Sequence, residues 1–574
     1  MTNKEIAKIL FQIAEILELK NSSDRFRIVA YEKAAQIVEN YPIEMKELYV
    51  REGVKSLVEV PGIGQSIAEK IEELLKTGKL KYLTEIEKDV PASQMKFIKV
   101  PGIGPKMAIK IATELKAKDI EDLEVKIKSG EADEIFKEKT RNNILRGIEI
   151  SRKLTGRMLI TDALPVAEDF VKRIKEIDGV KDANFVGSLR RMKETIGDID
   201  IVAASSEPKK IINEYIAFPG IIHIVTQGEA KSTIIHRQGC QLDLEIVSEA
   251  EYGSLLQHFT GSKEHNVALR TYAQTKGMSV SEHGVKIGEK LHTFKTEKEL
   301  YNFLGMDFIP PELRENRGEI AAALNHRLPV LVEVSDILGD LHVHSDWSDG
   351  NMSISEIALA AEKLNYEYIV ISDHTVGLGI ANGLDEKRLE ERQKEIEIVQ
   401  KDHPRIKILS SVEVNIKADG SLDIQDWMLE KLDIVTASVH TSFFQEKEVM
   451  TDRLIKAISN SHVDIIGHPS GRVIGQREPY LVNWERVFKA CSEYKTVLEI
   501  SSFPNRLDLQ DYLCQQAKNL GVKFAINTDA HQAAHLQLMR YGVSVARRGW
   551  LEKKDIINTF KLEDLLRWVE LREN

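Results

Sequence analysis

Seven short apolar runs, near residues 341, 369, 408, 434, 464, 497 and 524, alternate with helical stretches from residue 340 onward. Strands separated by helices run parallel, because each crossover returns the chain to the same end of the sheet. A parallel barrel or sheet is therefore expected. Nearly every run also ends in a metal-binding side chain. Leu341-His-Val-His344 puts His342 and His344 on one strand face, since side chains alternate with period two. Asp349 follows in Ser-Asp-Gly, His374 ends the second run, and Glu413 lies in the third. Ser438-Val-His440, Ile466-Gly-His468 and Thr528-Asp-Ala-His531 add His440, His468, Asp529 and His531. A lone strand-end histidine is ordinarily a packed core residue. This many imidazoles and carboxylates at strand C-termini, where barrel enzymes build their sites, are expected to meet as a multinuclear metal site. The donors suit Zn²⁺, Mn²⁺ or Fe²⁺ better than Mg²⁺. Such ions generate hydroxide near neutral pH and polarise a phosphoryl oxygen. His403, His462 and His535 read as surface or packing residues, and Glu499 and Arg506 as supporting or substrate-contacting groups.

A different pattern occupies residues 180–247. Phe185-Val-Gly-Ser-Leu-Arg-Arg191 ends an apolar stretch in a Gly187-Ser188 turn, followed by two arginines. Gly197-Asp-Ile-Asp-Ile-Val202 then places Asp198 and Asp200 on one strand face, and Gln241-Leu-Asp-Leu-Glu-Ile-Val247 supplies Asp243. Three clustered carboxylates can hold two Mg²⁺ ions, which favour hard oxygen ligands and substrate phosphates. Two metals stabilise the attacking and leaving oxygens of an in-line displacement. The Gly187-Ser188 turn can donate to a triphosphate and Arg191 can neutralise charge on it. A nucleotidyltransferase site is expected.

The front of the chain reads as helical and contains a repeat. Val60-Pro-Gly-Ile-Gly-Gln-Ser-Ile-Ala68 recurs as Val100-Pro-Gly-Ile-Gly-Pro-Lys-Met-Ala108. Proline starts each turn, and Gly62, Gly64, Gly102 and Gly104 permit positive φ and close backbone approach. The N–H groups opening the next helix can then hold a phosphate. Lys70 lies one turn into that helix; by spacing it is a phosphate contact, a Schiff-base nucleophile or a solvated charge.

A formal charge of −11 over 574 residues argues mildly against nucleic acid. The sum is uneven: residues 1–160 hold 29 basic against 26 acidic side chains and no histidine. The three cysteines are far apart and odd in number, which excludes a disulfide framework and fits a reducing, cytoplasmic setting. No apolar run is long enough for a membrane span, and Met1–Leu19 reads as an amphipathic helix with no signal-peptide core.

The paired PGIG hairpins followed by GSLRR, GDID and LDL resemble an X-family DNA polymerase over residues 1 to about 318. The resemblance implies gapped or primed double-stranded DNA and dNTPs as substrates. It implies that Asp198, Asp200 and Asp243 bind catalytic Mg²⁺ (or Mn²⁺). Gly187, Ser188, Arg191 and Gly197 would bind the triphosphate, and Phe259, Gly261, Asn266 and Arg270 the sugar and base. Tyr31-Glu-Lys-Ala-Ala35 and Ile67-Ala-Glu-Lys-Ile71 are similar to the family's lyase-like domain, with Lys70 at the position of its Schiff-base lysine. Ser66, His258 and Glu245 depart from the residues of animal members.

The strand-end ligand set resembles the polymerase and histidinol phosphatase (PHP) domain over about 336–574, with all nine ligand positions present. In this combination it implies a 3′–5′ exonuclease using Mn²⁺ or Zn²⁺; the alternative is a hydrolase of small phosphoesters or pyrophosphate. The expected fold is multidomain α/β. Residues 1–83 form a small helical lyase-like domain and 84–155 a fingers-like helical domain, each with one helix-hairpin-helix. A nucleotidyltransferase palm with a mixed sheet spans 156–250, a thumb 251–318, a linker 319–335, and a distorted (β/α)7 barrel 336–574. A monomer is expected.

Overall fold

The computed structural model describes residues 1–574 apart from 2, 20–24, 42–43, 61, 88–91, 99, 101–102, 155, 379–380 and 574. Of the apolar stripe expected at Ile6, Ile9, Leu10, Ile13, Ile16 and Leu17, the helix Asn3–Leu19 buries all but Ile9, which is partly buried, and it packs on the helix Arg25–Asn40. The two repeats fold alike. Ile63 N–H donates to Val60 O at 3.0 Å, and Ile103 N–H to Val100 O at 3.0 Å. Ala68 and Ala108 close the first turns of the following helices on Gly64 O and Gly104 O, at 3.0 and 2.9 Å. Gly64 and Gly104 cap the helices Gln65–Thr77 and Pro105–Thr113 in extended conformation. At Gly62 φ is +88°, a conformation that favours glycine, and a Cβ would lie 2.3 Å from Cδ1 at the tip of the Ile37 side chain, which would have to move aside. Gly102, the matching residue of the second copy, lies outside the described residues.

Five strands form a mixed sheet: β1 (Val180–Phe185), β2 (Ile199–Ser205), β3 (Ile221–Gln227), β4 (Lys231–His236) and β5 (Gln241–Val247). Their order is β1-β2-β5-β4-β3, with β2 and β5 parallel and the other pairs antiparallel. The helix Ile160–Glu176 buries Phe170 beside Tyr215 against this sheet. Beyond it, the helices Tyr252–Thr260, Lys263–Thr275 and Glu297–Phe303 surround the three-stranded sheet of residues 278–292.

The seven predicted apolar runs are the strands β6 (Gly339–Val343), β7 (Tyr368–Ile371), β8 (Lys407–Asn415), β9 (Ile434–Ser438), β10 (Ile465–Ile466), β11 (Val497–Ser501) and β12 (Phe524–Asn527). They pair in parallel and in sequence order, and a parallel bridge from Val343 to Ala530 brings the last strand back to the first. The result is a nearly closed seven-stranded parallel barrel. Leu341, Val370, Leu409, Ile434, Ile465, Val497 and Ala525, one from each strand, pack in a single cluster with Leu565 and Val569 of the terminal helix Leu562–Glu573. Asn558, fully buried, fastens the seam: its Nδ2 donates to Gly339 O (3.0 Å) and Ile526 O (2.8 Å), and its Oδ1 accepts from Ile526 N–H (2.7 Å).

One continuous apolar cluster joins the mixed sheet to the barrel, running from Phe170, Ile199 and Leu242 to Ile354, Ile369 and Phe488. Among the described residues no helix is long and apolar enough to cross a membrane. Cys240, Cys491 and Cys514 are all buried and unbridged.

Candidate active sites

The parallel pairing of β2 with β5 sets Asp200 directly opposite Asp243. Asp198, just before β2, completes a group whose ligand atoms lie within 4.8 Å of one another. Burial and the neighbouring charges of Asp198 and Asp243 push the Asp200 carboxyl up to about 7. A divalent cation relieves that repulsion, so the donor set fits a hard metal ion. Thr233, opposite Asp243 across β4, donates to its Oδ1 at 2.5 Å, and Gln241 donates to Oδ2 at 2.8 Å. Asp200, Thr233, Asp243 and Phe259 line one cleft of about 240 Å³.

Gly187 sits against this group. Its φ is +64°, and a Cβ would lie 2.5 Å from Asp200 Oδ2. The expected Gly-Ser turn closes into a single helical turn, Gly187–Arg190, tied back to β2 by Val186 N–H to Asp200 O at 2.8 Å. The two arginines then part. Arg190 forks onto Glu297 (2.9 and 2.7 Å), which Arg314 also holds. Burial pushes Glu297 up, yet Arg314 and Arg190 reverse this and hold it below the usual carboxylate range. Arg191 donates from Nε to Glu315 (2.9 Å) and from Nη1 to Thr260 O (2.8 Å). Asn266 donates to His258 O at 2.7 Å, and a Cβ on Gly261 would meet Asn266 Oδ1 at 2.5 Å. Arg270 lies 3.1 Å from His258 Nδ1, whose ring packs edge-on to Phe259. Gly197 lies beside Arg157, which reaches Thr195.

At the barrel mouth, Glu413 is central. Its oxygens lie 2.9 Å from His374 Nδ1, 2.9 Å from His468 Nε2, 3.2 Å from His440 Nε2 and 3.5 Å from His342 Nε2. Eight of the nine predicted ligands fall into three metal-competent groups: His342, His344 and Asp529; His344, Asp349, His374 and His531; His374, Glu413 and His440. His468 touches Glu413 but stands outside these groups. A neutral imidazole has one lone pair, so the shared His344 and His374 each serve one ion at a time. His342 Nε2 and His344 Nε2 lie 3.1 Å apart, and the buried His344 Nδ1 has no hydrogen-bond partner. Crowded imidazole nitrogens and an orphaned buried nitrogen fit metal coordination better than a hydrogen-bonded core. Burial with His531 and His374 nearby pushes His344 down to about 4. Burial also opposes the charged form of His531, but Asp349 and Asp529 bring it up to about 9.

Neighbouring groups orient these ligands, among them Glu499, which the sequence marks as a supporting or substrate-contacting residue. Glu499 accepts from His342 Nδ1 (2.8 Å) and from His468 N–H (2.6 Å), and Asn415 lies 2.5 Å from His440 Nδ1. His531 Nδ1–H donates to Asp529 O at 2.8 Å. His468 and Asp529 both adopt positive φ, +29° and +53°, an uncommon backbone held at the site. Arg506 approaches Asp529 at 3.9 Å with a buried, unpartnered Nη1, and Arg477 lies 3.7 Å over the Phe443 ring.

The hairpins and Lys70 lie in the helical part. Lys70 Nζ donates to Ser66 O and Oγ (3.1 and 3.0 Å) and sits 5.0 Å over the Tyr82 ring and 6.0 Å from that of Tyr31. Gly104, Lys106, Lys110 and Lys137 line a cavity of about 620 Å³ at the start of the helix Pro105–Thr113.

Three family models match the chain: a helix-hairpin-helix domain over residues 1–80, the DNA polymerase beta thumb over 255–315, and the PHP domain over 340–503. A DNA polymerase/3′-5′ exonuclease PolX of Bacillus subtilis (strain 168) is 35% identical over 98% of this chain and 99% of its own length. A probable phosphatase of Thermoanaerobacter sp. (strain X514) is 32% identical over 38% of this chain and 89% of its own length. DNA polymerase lambda of Rattus norvegicus is 24% identical over 51% of this chain and 53% of its own length. With a matching thumb, a matching PHP barrel and a full-length relative at this identity, the chain belongs to the PolX family, X-family DNA polymerases that carry a C-terminal PHP domain.

Proposed function

We propose that the chain is a gap-filling DNA repair polymerase that also trims 3′ ends in its barrel. The register pairing of Asp200 with Asp243 beside Gly187 carries the polymerase reading. Asp198 and Asp200 would hold two Mg²⁺ (or Mn²⁺) ions; such ions supply charge neutralisation on the triphosphate and acidify the primer hydroxyl. Asp243, fixed by Thr233 and Gln241, faces the primer 3′-OH. Gly187, Ser188, Gly197 and Arg191 receive the triphosphate. Phe259, Gly261, Asn266 and Arg270 shape the sugar and base subsite. Gly62 and Gly64, with Gly104 and the undescribed Gly102 of the second repeat, belong to hairpins whose following helices offer N–H groups that grip backbone phosphates without reading sequence. Lys70 is the nucleophile of a 5′-deoxyribose phosphate lyase.

In the barrel, His342, His344, Asp349, His374, Glu413, His440, His468, Asp529 and His531 are the ligand set for Mn²⁺ or Zn²⁺, which supply Lewis acidity and a lowered water pKa. The unpartnered Arg506 nitrogen beside Asp529 suits a phosphodiester oxygen. The phosphatase name of the relative that matches 38% of this chain keeps hydrolysis of small phosphoesters or pyrophosphate as the rival. A 5′-labelled gapped duplex in Mn²⁺ separates these readings. Extension with dNTPs and shortening without them support both halves; phosphate release from a small phosphoester or from pyrophosphate, with no shortening of the duplex, supports the rival.

A further inference from the structure

The loop Arg191–Glu194 lies between the Gly187–Arg190 turn and the paired aspartates, and the barrel grips it from outside. Arg548, at the end of the barrel helix Met539–Arg548, is 2% exposed. Its Nη1 donates to the carbonyl of Arg191 at 2.6 Å and to Glu315 Oε1 at 3.1 Å. That same Glu315 oxygen accepts from Arg191 Nε at 2.9 Å. Arg548 Nη2 is anchored on Asp511 at 2.6 Å, which Arg317 also pairs with at 3.3 Å. Three residues along, Arg472 of the barrel forms a 2.7 Å ion pair with Glu194.

We infer that Arg548 of the PHP barrel is a positioning residue of the polymerase site, holding Arg191 in the pose that receives the triphosphate. The inference rests on the reading of Arg191 proposed above. Glu315 has two tasks that conflict: it must orient Arg191, yet its full charge would compete with a phosphate for the same guanidinium. Arg548 resolves the conflict by sharing the carboxylate oxygen, so Glu315 orients Arg191 without owning it. Around this point Arg191, Lys193, Arg317 and Arg548 share the two carboxylates Glu315 and Asp511. Half of that surrounding positive charge, Arg317 and Arg548, is held by a carboxylate of the barrel. The barrel is thus part of the nucleotide site.

The test is steady-state single-nucleotide insertion on gapped DNA by the full-length protein, with 3′ digestion and thermal melting followed on the same samples. Arg548→Ala is expected to raise KM for dNTP about tenfold, the worth of one charge-assisted hydrogen bond, with kcat changed far less and 3′ digestion unchanged. Arg548→Lys cannot reach Arg191, Glu315 and Asp511 together, so its KM should fall between wild type and Arg548→Ala; it carries the test if the alanine variant unfolds. In a Glu315→Gln background, Arg548→Ala should raise KM by much less than in the wild type, because the two act through one contact. Arg191→Ala is the control for the underlying reading. If Arg191→Ala leaves KM unchanged, Arg191 does not bind the triphosphate. If Arg191→Ala raises KM while Arg548→Ala and Arg548→Lys do not, Arg548 has no positioning role.

Discussion

Asp200 and Asp243 stand opposite one another on parallel strands β2 and β5, one carboxylate facing another across a single strand spacing. Without a cation this pairing is unfavourable, and with burial it raises Asp200 to about 7. Asp200→Asn should lower primer extension on the order of 10³-fold or more while leaving 3′ digestion intact. A carboxyl whose folded value exceeds its unfolded one costs stability as pH rises between the two. In chelator, Asp200→Asn should therefore melt above the wild type, by more at pH 8 than at pH 5. Calorimetry at the two pH values checks the sign.

Glu499 orients two imidazoles at once, through His342 Nδ1 and the His468 backbone. Glu499→Gln keeps the shape and loses the charge that makes His342 a stronger ligand. The metal concentration needed for half-maximal 3′ digestion should rise about 10–100-fold. Primer extension by the same preparation should not change.

Metal binding and barrel stability are linked, since clustered ligands bind an ion only when folded. Mn²⁺ should raise the melting temperature of the chelated protein, and His342→Ala with His344→Ala should remove most of that rise. A melting curve that ignores Mn²⁺ in the wild type would exclude the barrel as a metal centre.

Asn558 satisfies backbone groups of the first and last barrel strands. Asn558→Ala leaves those buried groups unpaired, at a cost of about 2–3 kcal/mol. Denaturant titration should show the loss.

Lys70 reaches toward Tyr82 and Tyr31 with its amine on Ser66. Borohydride should trap the wild type on DNA carrying a 5′-deoxyribose phosphate, and Lys70→Ala should abolish the adduct without affecting extension. An unchanged adduct would place the nucleophile elsewhere.

What was legible in the sequence is what is local. The described residues of the two repeats make matching bonds because the local motif is the same, and the barrel strands follow from short apolar runs spaced by helices. Period two put Asp198 and Asp200 on one face. What was not legible is what comes from afar: the sequence marks Glu499 as a supporting or substrate-contacting group, but nothing in it pairs Glu499 with His342, 157 positions away, or Arg548 with Glu315, 233 away. No spacing rule connects such pairs; the fold alone brings them together. Thr233 was within reach, since pairing β4 against β5 puts it opposite Asp243. His468 Nε2 lies 2.9 Å from Glu413, which His374 and His440 also contact, although it falls outside the three metal-competent groups.

The barrel seam has a consequence for how the protein is made. His342 lies on the first strand, while Asp529 and His531 lie just beyond the last. Two of the three ligand groups need one of these late residues, so a nascent chain can complete only His374, Glu413 and His440 before them. Asp198, Asp200 and Asp243 leave the ribosome far earlier. On the ligand assignment proposed above, the DNA-synthesis residues emerge first and the barrel's ligand set is complete only once Asp529 and His531 have followed.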